Sequence, residues 1–248
     1  MKLAIATLTF NCLNLTQKLI NSINESNIDI PFSFIWVDNG STDGTVEYFN
    51  GKLTHKKCYG FHSIINVKNK GCASGWNSGI EKAWELGADY CIEVNNDIEF
   101  NPYAIQNLYN AAEKYTDFGV ITAVDAKENY LNAELKDEVE WGLCWSCFLI
   151  KKSIWKKFGG FDERIWPVKS EDYLAHGKMI KENIKCMAIK TAYVNHLGDG
   201  TGKGNPDKKI NWAAHLAKNM EYVDKMNFEM TEEEKDKIAP PKEYINLE

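Results

Sequence analysis

The stretch 73-ASGWNSGIEKAWELGADYCIEVNND-97 carries a helix pattern, a strand pattern and a polar strand end in one continuous segment. Trp76, Ile80 and Trp84 recur every four residues, which is the spacing of one helix face. The apolar run 89-DYCIEV-94 follows a short glycine-containing turn and predicts a buried strand. A helix that leads directly into a buried strand is typical of an α/β protein with a parallel sheet.

The same alternation extends along the chain in both directions. Leu15, Leu19 and Ile23 predict a helix over 14–23, and two more helices are predicted at 170–182 and 208–226. Further strands are predicted at 3–10, 32–38, 61–67, 119–125, 141–152 and 186–194. We therefore expect an α/β fold in which a Rossmann-like, mostly parallel sheet with helices on both faces is followed by a mixed second half.

Composition limits the classes of function. The chain has 248 residues, 44% hydrophobic residues and a net charge of −6, which argues against nucleic-acid binding through overall charge. No apolar run is long enough to span a membrane and no signal peptide is evident, so we expect a cytoplasmic protein. We expect the seven cysteines, an odd number mostly in apolar segments, to be buried reduced thiols. Cys144 and Cys147 have CxxC spacing without a second pair, which disfavours zinc or redox chemistry.

Polar residues end each of the first four predicted strands. Ligands of open α/β sheets bind beyond the carboxyl ends of the strands, so these residues predict a binding edge. Each segment alone is also compatible with a turn or with helix packing. Gly71, Gly75 and Gly79 follow GxxxG rather than GxGxxG spacing, which disfavours a dinucleotide-dependent oxidoreductase. The four segments are 9-TFN-11, 38-DNGSTDGT-45, 69-NKGCASGWNSG-79 and 95-NND-97.

The order of these segments resembles the nucleotide-binding half of family 2 glycosyltransferases. Three later segments agree with the second half of that family, and the resemblance covers about residues 3–201. It is strongest to the branch that includes rhamnosyltransferase-like enzymes. It implies a GT-A fold over 1–203, with a nucleotide-sugar half at 1–100 and an acceptor-binding half at 101–203, followed by a C-terminal helix and charged tail at 204–248. The later segments are 147-CFLIKKSIWKKFGGFDERIW-166, 170-SEDYLAHGKMIKE-182 and 194-VNHLGDGT-201.

The resemblance also implies which residues hold the donor. Asp38 is expected to accept from N3–H of the base, which selects uracil or thymine and hence a UDP- or dTDP-sugar. Gly75 and Asn77 are expected near the ribose or diphosphate. The remaining donor residues are Thr9 and Asn11 in the nucleoside pocket, Asn69, Lys70 and Gly71 in a closing loop, and Asn96 at the diphosphate end.

A divalent cation is implied at the end of the fourth strand. Asn95, Asn96 and Asp97 occupy the DxD position of the family, where Asp97 is expected to bind Mn²⁺ or Mg²⁺ on the sugar diphosphate. Asn95 stands where many relatives have aspartate, which implies weaker metal binding without substrate. His196 is the expected second ligand, and a structural histidine beside a glycine turn is the alternative.

The resemblance places the general base at Asp172, with Glu171 orienting it or the acceptor. Ser170 is the expected N-cap of their helix, and acidic residues that only complement the helix dipole are the alternative. The implied reaction is an in-line displacement that inverts the anomeric carbon. Leu174 departs from the family pattern, which often has a second acidic residue there.

The acceptor is left open between a glycan, a protein and a nucleic acid, and oligomerisation is also open. Aromatic side chains near the expected acceptor site are Trp141, Trp145 and Trp166, for which core packing is the default. A catalytically impaired nucleotide-sugar-binding protein of the same fold is the competing hypothesis. Basic residues that would meet an anionic acceptor, or form a solvated face, are Lys151, Lys152, Lys156 and Lys157.

Overall fold

The fold is that of a computed structural model, which describes residues 2–49, 51–125, 139–140, 144–166, 170–198 and 212–227. The strands are β1 (Leu3–Thr9), β2 (Phe32–Asp38), β3 (Cys58–Ile65), β4 (Tyr90–Asn95), β5 (Ile98–Phe100), β6 (Phe118–Asp125), β7 (Val139–Glu140), β8 (Cys147–Lys151) and β9 (Lys185–His196). The helices are α1 (Leu13–Glu25), α2 (Thr45–Tyr48), α3 (Cys72–Glu85), α4 (Ala104–Lys114), α5 (Lys152–Phe158), α6 (Glu171–Lys181) and α7 (Trp212–Asn227).

The described strands form one sheet in the order β3-β2-β1-β4-β8-β6-β9-β5, with β7 paired to β9. The first four strands in this order are parallel to one another, as the βα alternation of the sequence predicts. Beyond β4 the sheet is mixed, because β8 runs antiparallel to both β4 and β6 while β9 runs parallel to β6. The predicted α/β architecture with a parallel first half and a mixed second half is therefore confirmed.

Helices cover both faces of the sheet and bury a hydrophobic cluster on each. On one face, Leu19 and Ile23 of α1 and Leu108 of α4 pack with strand residues. On the other face, Trp76 and Ile80 of α3 lie in a cluster that also includes residues of α5 and α6. A sheet covered on both faces explains the nearly continuous apolar run of β2, in which every residue is buried.

The sequence-based prediction of one long strand over 141–152 was wrong in extent. Residues 141–143, including Trp141, lie outside the described residues, and β8 begins only at Cys147. The chain then enters α5 at Lys152, a short helix in which charged and apolar residues alternate in groups. Lys151 is not part of a solvated basic face, since its Nζ donates to the carbonyls of Ala112 and Tyr115, both at 2.9 Å. It thereby binds the C-terminal turn of α4.

The C-terminal helix predicted at 208–226 is present as α7 over its described range. The predicted charged tail, 231–248, lies outside the described residues. Within the described part of the chain, no helix combines the length and hydropathy needed to cross a membrane.

Candidate active site

The carboxyl ends of the parallel strands meet at one edge of the sheet, as predicted. Thr9 at the end of β1 is in register with Asp38 at the end of β2. On the other side of β1, Leu8 is in register with Asn95 at the end of β4. The polar segments that follow β1, β2 and β4 therefore lie side by side.

Asp38 organises the loop that follows β2. Its Oδ1 accepts from the backbone N–H groups of Gly40 at 2.9 Å and Ser41 at 2.8 Å. Its Oδ2 accepts from the hydroxyls of Thr9 at 2.8 Å and Ser41 at 2.5 Å. Four donors occupy the four acceptor positions of this fully buried carboxylate. A contact with a nucleotide base would have to replace one of them, so the role of Asp38 at the base stays a prediction that these contacts do not support.

Thr9 and Asn11 connect the end of β1 to the same loop. The Thr9 hydroxyl also accepts from the indole N–H of Trp36 at 2.8 Å. Asn11 has a left-handed backbone with φ of 57°, and its Oδ1 accepts from the N–H of Thr42 at 2.8 Å. Both residues are buried and lie at the edge where the resemblance places the nucleoside.

The closing loop 69–71 is held at the start of α3. The Oδ1 of Asn69 accepts from the N–H of Gly71 at 2.7 Å, and Gly71 has φ of 92°, which favours glycine. The Nδ2 of Asn39 donates to the carbonyl of Gly71 at 3.0 Å. Lys70, between Asn69 and Gly71, is exposed. Asn39, which holds Gly71 in place, was not among the predicted site residues. The sequence signal for it is its position directly after Asp38 in a turn that ends a strand.

Gly75 and Asn77 have partners other than the expected ribose or diphosphate. A Cβ at Gly75 would lie 2.4 Å from Cδ1 of Leu8, so this glycine permits close packing of α3 on β1. The Nδ2 of Asn77 donates to the carbonyl of Phe161 at 3.0 Å and to Oε1 of Glu163 at 2.9 Å. Its Oδ1 accepts from the N–H of Phe161 at 2.8 Å. Asn77 therefore joins α3 to the FGGFDE segment, and its predicted contact with the donor stays untested.

The three residues after β4 differ in their surroundings. Asn95 accepts from the indole N–H of Trp76 at 3.3 Å through its Oδ1. Asn96 is buried and donates through Nδ2 to the carbonyl of Asn11 at 3.3 Å, which connects this segment to the end of β1. Asp97 is 7% exposed, and its Oδ1 is buried without a hydrogen-bond partner. A buried carboxylate oxygen with no donor is costly unless a cation or ligand satisfies it.

His196 lies beside that carboxylate, as a shared metal site requires. Its Nε2 is 3.3 Å from Oδ2 of Asp97, and its backbone N–H donates to Oδ1 of Asp125 at 3.1 Å. The described residues contain no group of three or more His, Cys, Asp or Glu side chains that could hold a metal alone. Asp97 and His196 therefore fit a divalent cation that takes its other ligands from a diphosphate and water.

The acidic pair opens α6 at the same end of the molecule. Glu171 is buried and Asp172 is half-buried. Burial, followed by the charge and hydrogen bond of Glu171, raises the pKa of the Cys72 thiol well above its ordinary value. Cys72 is the first residue of α3, so the acidic pair lies next to the closing loop. This proximity agrees with a base that faces the donor site.

The prediction that Ser170 caps this helix through its side chain was wrong. Ser170 has φ of 80°, and its hydroxyl makes no capping hydrogen bond to α6. It donates instead to Sδ of Met220 at 3.6 Å. A left-handed backbone turns the Ser170 side chain away from the N–H groups that a cap would satisfy.

The described tryptophans near the expected acceptor site pack within the protein. Trp145 is 7% exposed and contacts the rings of Phe148 and Phe161 at 5.1 and 6.0 Å. Trp166 contacts His215 at 4.4 Å between ring centroids.

All seven cysteines are free thiols. Burial raises the pKa of Cys144 to about 11 and raises that of Cys147 well above its ordinary value, so the CxxC pair has the character of a structural element.

A cavity of about 400 Å³ lies between the FGGFDER segment and α6. Tyr173, Lys178 and Lys181 line it from the helix, and Arg164 lines it from the segment. Asp172 is not among its lining residues. Sequence reasoning missed this cavity, because its walls come from two segments whose separation only the tertiary structure sets.

Comparisons with known proteins agree with this fold. Residues 4–180 match Glycosyl transferase family 2. A search of curated proteins by sequence found no match. Structural similarity extends to a mannosyltransferase, PcManGT from Pyrobaculum calidifontis, solved with GDP-Man and Mn²⁺, at a TM-score of 0.64 and 14% identity over 88% of this chain and 61% of that one.

Two further structures show the same similarity. TarS residues 1–349 from S. aureus aligns at a TM-score of 0.61 and 17% identity, over 80% of this chain and 61% of that one. GalNAc-T7 with UDP, GalNAc and Mn²⁺ aligns at 0.62 and 11% identity, over 79% of this chain and 44% of that one. The chain spans between 44% and 61% of the length of these proteins, and identities this low compare the fold alone. With the family match covering residues 4–180, the chain has a GT-A fold and belongs to glycosyl transferase family 2.

Proposed function

We propose that this protein transfers a sugar from a UDP- or dTDP-sugar to a hydroxyl acceptor, with inversion and with help from Mn²⁺ or Mg²⁺. The observation that carries the proposal is the unsatisfied, buried Oδ1 of Asp97 beside His196. It lies at the strand edge that also holds Thr9 and Asn11. Family membership supports the reaction class, and two of the structural neighbours were solved with Mn²⁺.

Asp97 and His196 would hold the cation against the diphosphate of the donor. The cation would stabilise the negative charge that develops on the departing nucleoside diphosphate. Asp172 would take the proton of the acceptor hydroxyl while its oxygen attacks the anomeric carbon from the side opposite the diphosphate. Glu171, buried at the same helix start, would orient Asp172 or the acceptor. One displacement of this kind inverts the anomeric configuration.

The nucleotide and the branch of the family rest on the sequence resemblance. Neighbouring structures were solved with GDP-Man, UDP and UDP-GlcNAc, so the shared fold admits more than one base. Uracil or thymine remains our proposal, and so does the rhamnosyltransferase-like branch. We also propose that residues 1–203 form the catalytic domain and that the protein is cytoplasmic, in keeping with its free thiols.

A catalytically impaired nucleotide-sugar-binding protein is the second candidate. Asn95 favours it, because an amide stands at the DxD position and its Oδ1 already accepts from Trp76. Such a protein would bind the donor without turnover. The same experiment therefore separates the two functions.

The test is hydrolysis of a panel of UDP-, dTDP- and GDP-sugars with Mn²⁺ or with EDTA. We expect slow, metal-dependent release of UDP or dTDP, lowered about 100-fold or more in Asp97→Asn because that variant loses a charged ligand. Asp172→Asn should bind the donor and lose turnover. The matched control is Asp117→Asn, an exposed aspartate paired with Lys185 at the start of β6.

Several outcomes would contradict the proposal. Hydrolysis that EDTA and Asp97→Asn leave unchanged would exclude the metal role. Binding of a nucleotide sugar without turnover, with and without candidate acceptors, would favour the impaired protein. Absence of binding to every nucleotide sugar in thermal-shift experiments would overturn the donor site as a whole.

A further inference from the structure

Helix α7 contacts the turn 162–166, which precedes α6, the helix that carries Asp172. The hydroxyl of Tyr222 donates to Oδ2 of Asp162 at 2.9 Å. Arg164 pairs with the same aspartate through Nε at 2.8 Å and Nη2 at 2.6 Å. The Arg164 guanidinium also lies 4.8 Å from the centre of the Tyr222 ring. These three side chains form a closed set in which each contacts the other two.

A second group of contacts joins the same helix to the end of the turn and to Ser170. Oδ1 of Asn219 accepts from the N–H of Trp166 at 3.4 Å, and His215 packs on the Trp166 ring. Met220 accepts from the Ser170 hydroxyl. His215, Asn219 and Tyr222 are four and three residues apart, so they share one face of α7. One helix face therefore holds the turn from Asp162 to Trp166.

This turn needs support from outside α6. The cavity of about 400 Å³ lies between the FGGFDER segment and α6, and Lys178 of α6 bonds to the segment at the carbonyl of Gly160, which precedes the turn, at 3.2 Å. Asn77 holds the beginning of the segment from α3 at Phe161 and Glu163. Ser170 has φ of 80°, a strained conformation for a non-glycine residue, which the surrounding structure must stabilise. α7 contacts Ser170 directly.

We propose that α7 is a positioning element of the active site. Tyr222 and Asn219 hold the turn 162–166 and thereby set the position at which α6 presents Asp172. The inference rests on the proposed role of Asp172 as the base. It assigns a function to the C-terminal helix, which lies beyond the residues 4–180 that match the family.

The test compares Tyr222→Phe with Tyr109→Phe in the full chain. Tyr222→Phe removes the hydroxyl donor and keeps the ring beside Arg164, whereas Tyr109 lies on α4 at the opposite face of the sheet. In Tyr222→Phe we expect kcat for donor hydrolysis to fall roughly tenfold with donor Kd unchanged, because a small displacement of the base lowers the rate without affecting donor binding. Tyr109→Phe should leave both values unchanged.

Hydrogen–deuterium exchange of residues 170–175 supplies a readout that does not depend on activity. In Tyr222→Phe, exchange should rise about fivefold, because the start of α6 loses support while global stability is nearly kept. Asn219→Ala should produce the same rise through a different contact. Exchange at residues 170–175 that stays equal to the Tyr109→Phe control in both variants would overturn the positioning role.

The two proposals fail in different ways. If the wild-type protein turns over no donor, with or without candidate acceptors, the proposed function fails and exchange alone decides whether α7 holds the start of α6. If hydrolysis is present and Tyr222→Phe lowers kcat and donor affinity by the same factor, α7 supports the whole site and the specific positioning of Asp172 is wrong.

Discussion

At the scale of single residues, Asp38 shows how a residue of a sequence motif can organise the loop that contains it. Its carboxylate accepts from Thr9, Gly40 and Ser41 and is fully buried. The motif position is therefore explained by loop structure alone, whatever the residue contacts in the nucleotide.

Asp38→Asn separates the two roles. An amide supplies one acceptor oxygen in place of two, so Thr9 or Ser41 loses its partner and the free energy of unfolding should fall by about 1–3 kcal/mol. Thermal or urea unfolding measures this change, with Asp117→Asn as the control. A variant with unchanged stability and weakened nucleotide affinity would show instead that Asp38 acts mainly on the base.

At the scale of elements, β4 carries both the candidate metal residue and an unusual core residue. Asp97 follows its end, while Glu93 lies in its middle and is 1% exposed. Oε2 of Glu93 is buried without a hydrogen-bond partner in the described part of the structure. It lies 3.2 Å from where a Cβ of Gly79 would be, so α3 covers it closely. Burial raises the pKa of Glu93 well above its ordinary value.

This shift predicts a pH dependence of stability. The folded protein keeps the Glu93 proton to higher pH than the unfolded chain does, so stability should fall as pH rises above the ordinary glutamate pKa. Glu93→Gln removes this titration and should raise the melting temperature at pH 7–8 relative to wild type, with a smaller difference at pH 5. The exposed Glu81→Gln is the control. An equal effect of Glu93→Gln at pH 5 and pH 8 would contradict the buried, protonated state.

At the scale of the whole molecule, one sheet with a core on each face buries three of the seven thiols, while the other four are half-buried. Cys12, Cys91 and Cys147 are at most 9% exposed. Burial is the largest cause that raises the pKa of each of them. The thiolate is the reactive form of cysteine, so burial and raised pKa both protect these side chains.

Thiol titration tests this organisation. At neutral pH, at least these three cysteines should resist a disulfide reagent such as DTNB in the native protein, whereas all seven should react after unfolding without reductant. A native protein in which all seven cysteines react rapidly would contradict the burial of Cys12, Cys91 and Cys147. Fewer than seven reactive thiols after unfolding would reveal a disulfide.

The sequence by itself determined the α/β alternation, the strand ends and the position of Asp97. Apolar periodicity and turn residues are local properties, so the boundaries of α3, β4 and α6 follow them within a few residues. The short elements β5, α2 and α5 were not predicted, because three to seven residues carry too little periodicity. The eleven-residue helix α4 was also missed.

Tertiary structure decided which partners the polar residues have. Asn77 bonds to Phe161, and Tyr222 to Asp162, across separations of 84 and 60 residues that no local pattern encodes. Ser170 likewise stands at the N-cap position of α6 but bonds to Met220, 50 residues away, in place of the capping bond that its residue type predicts. A side chain satisfies its hydrogen bonds with whatever the fold brings near, so sequence identifies the chemical groups of the site and long-range packing selects their partners.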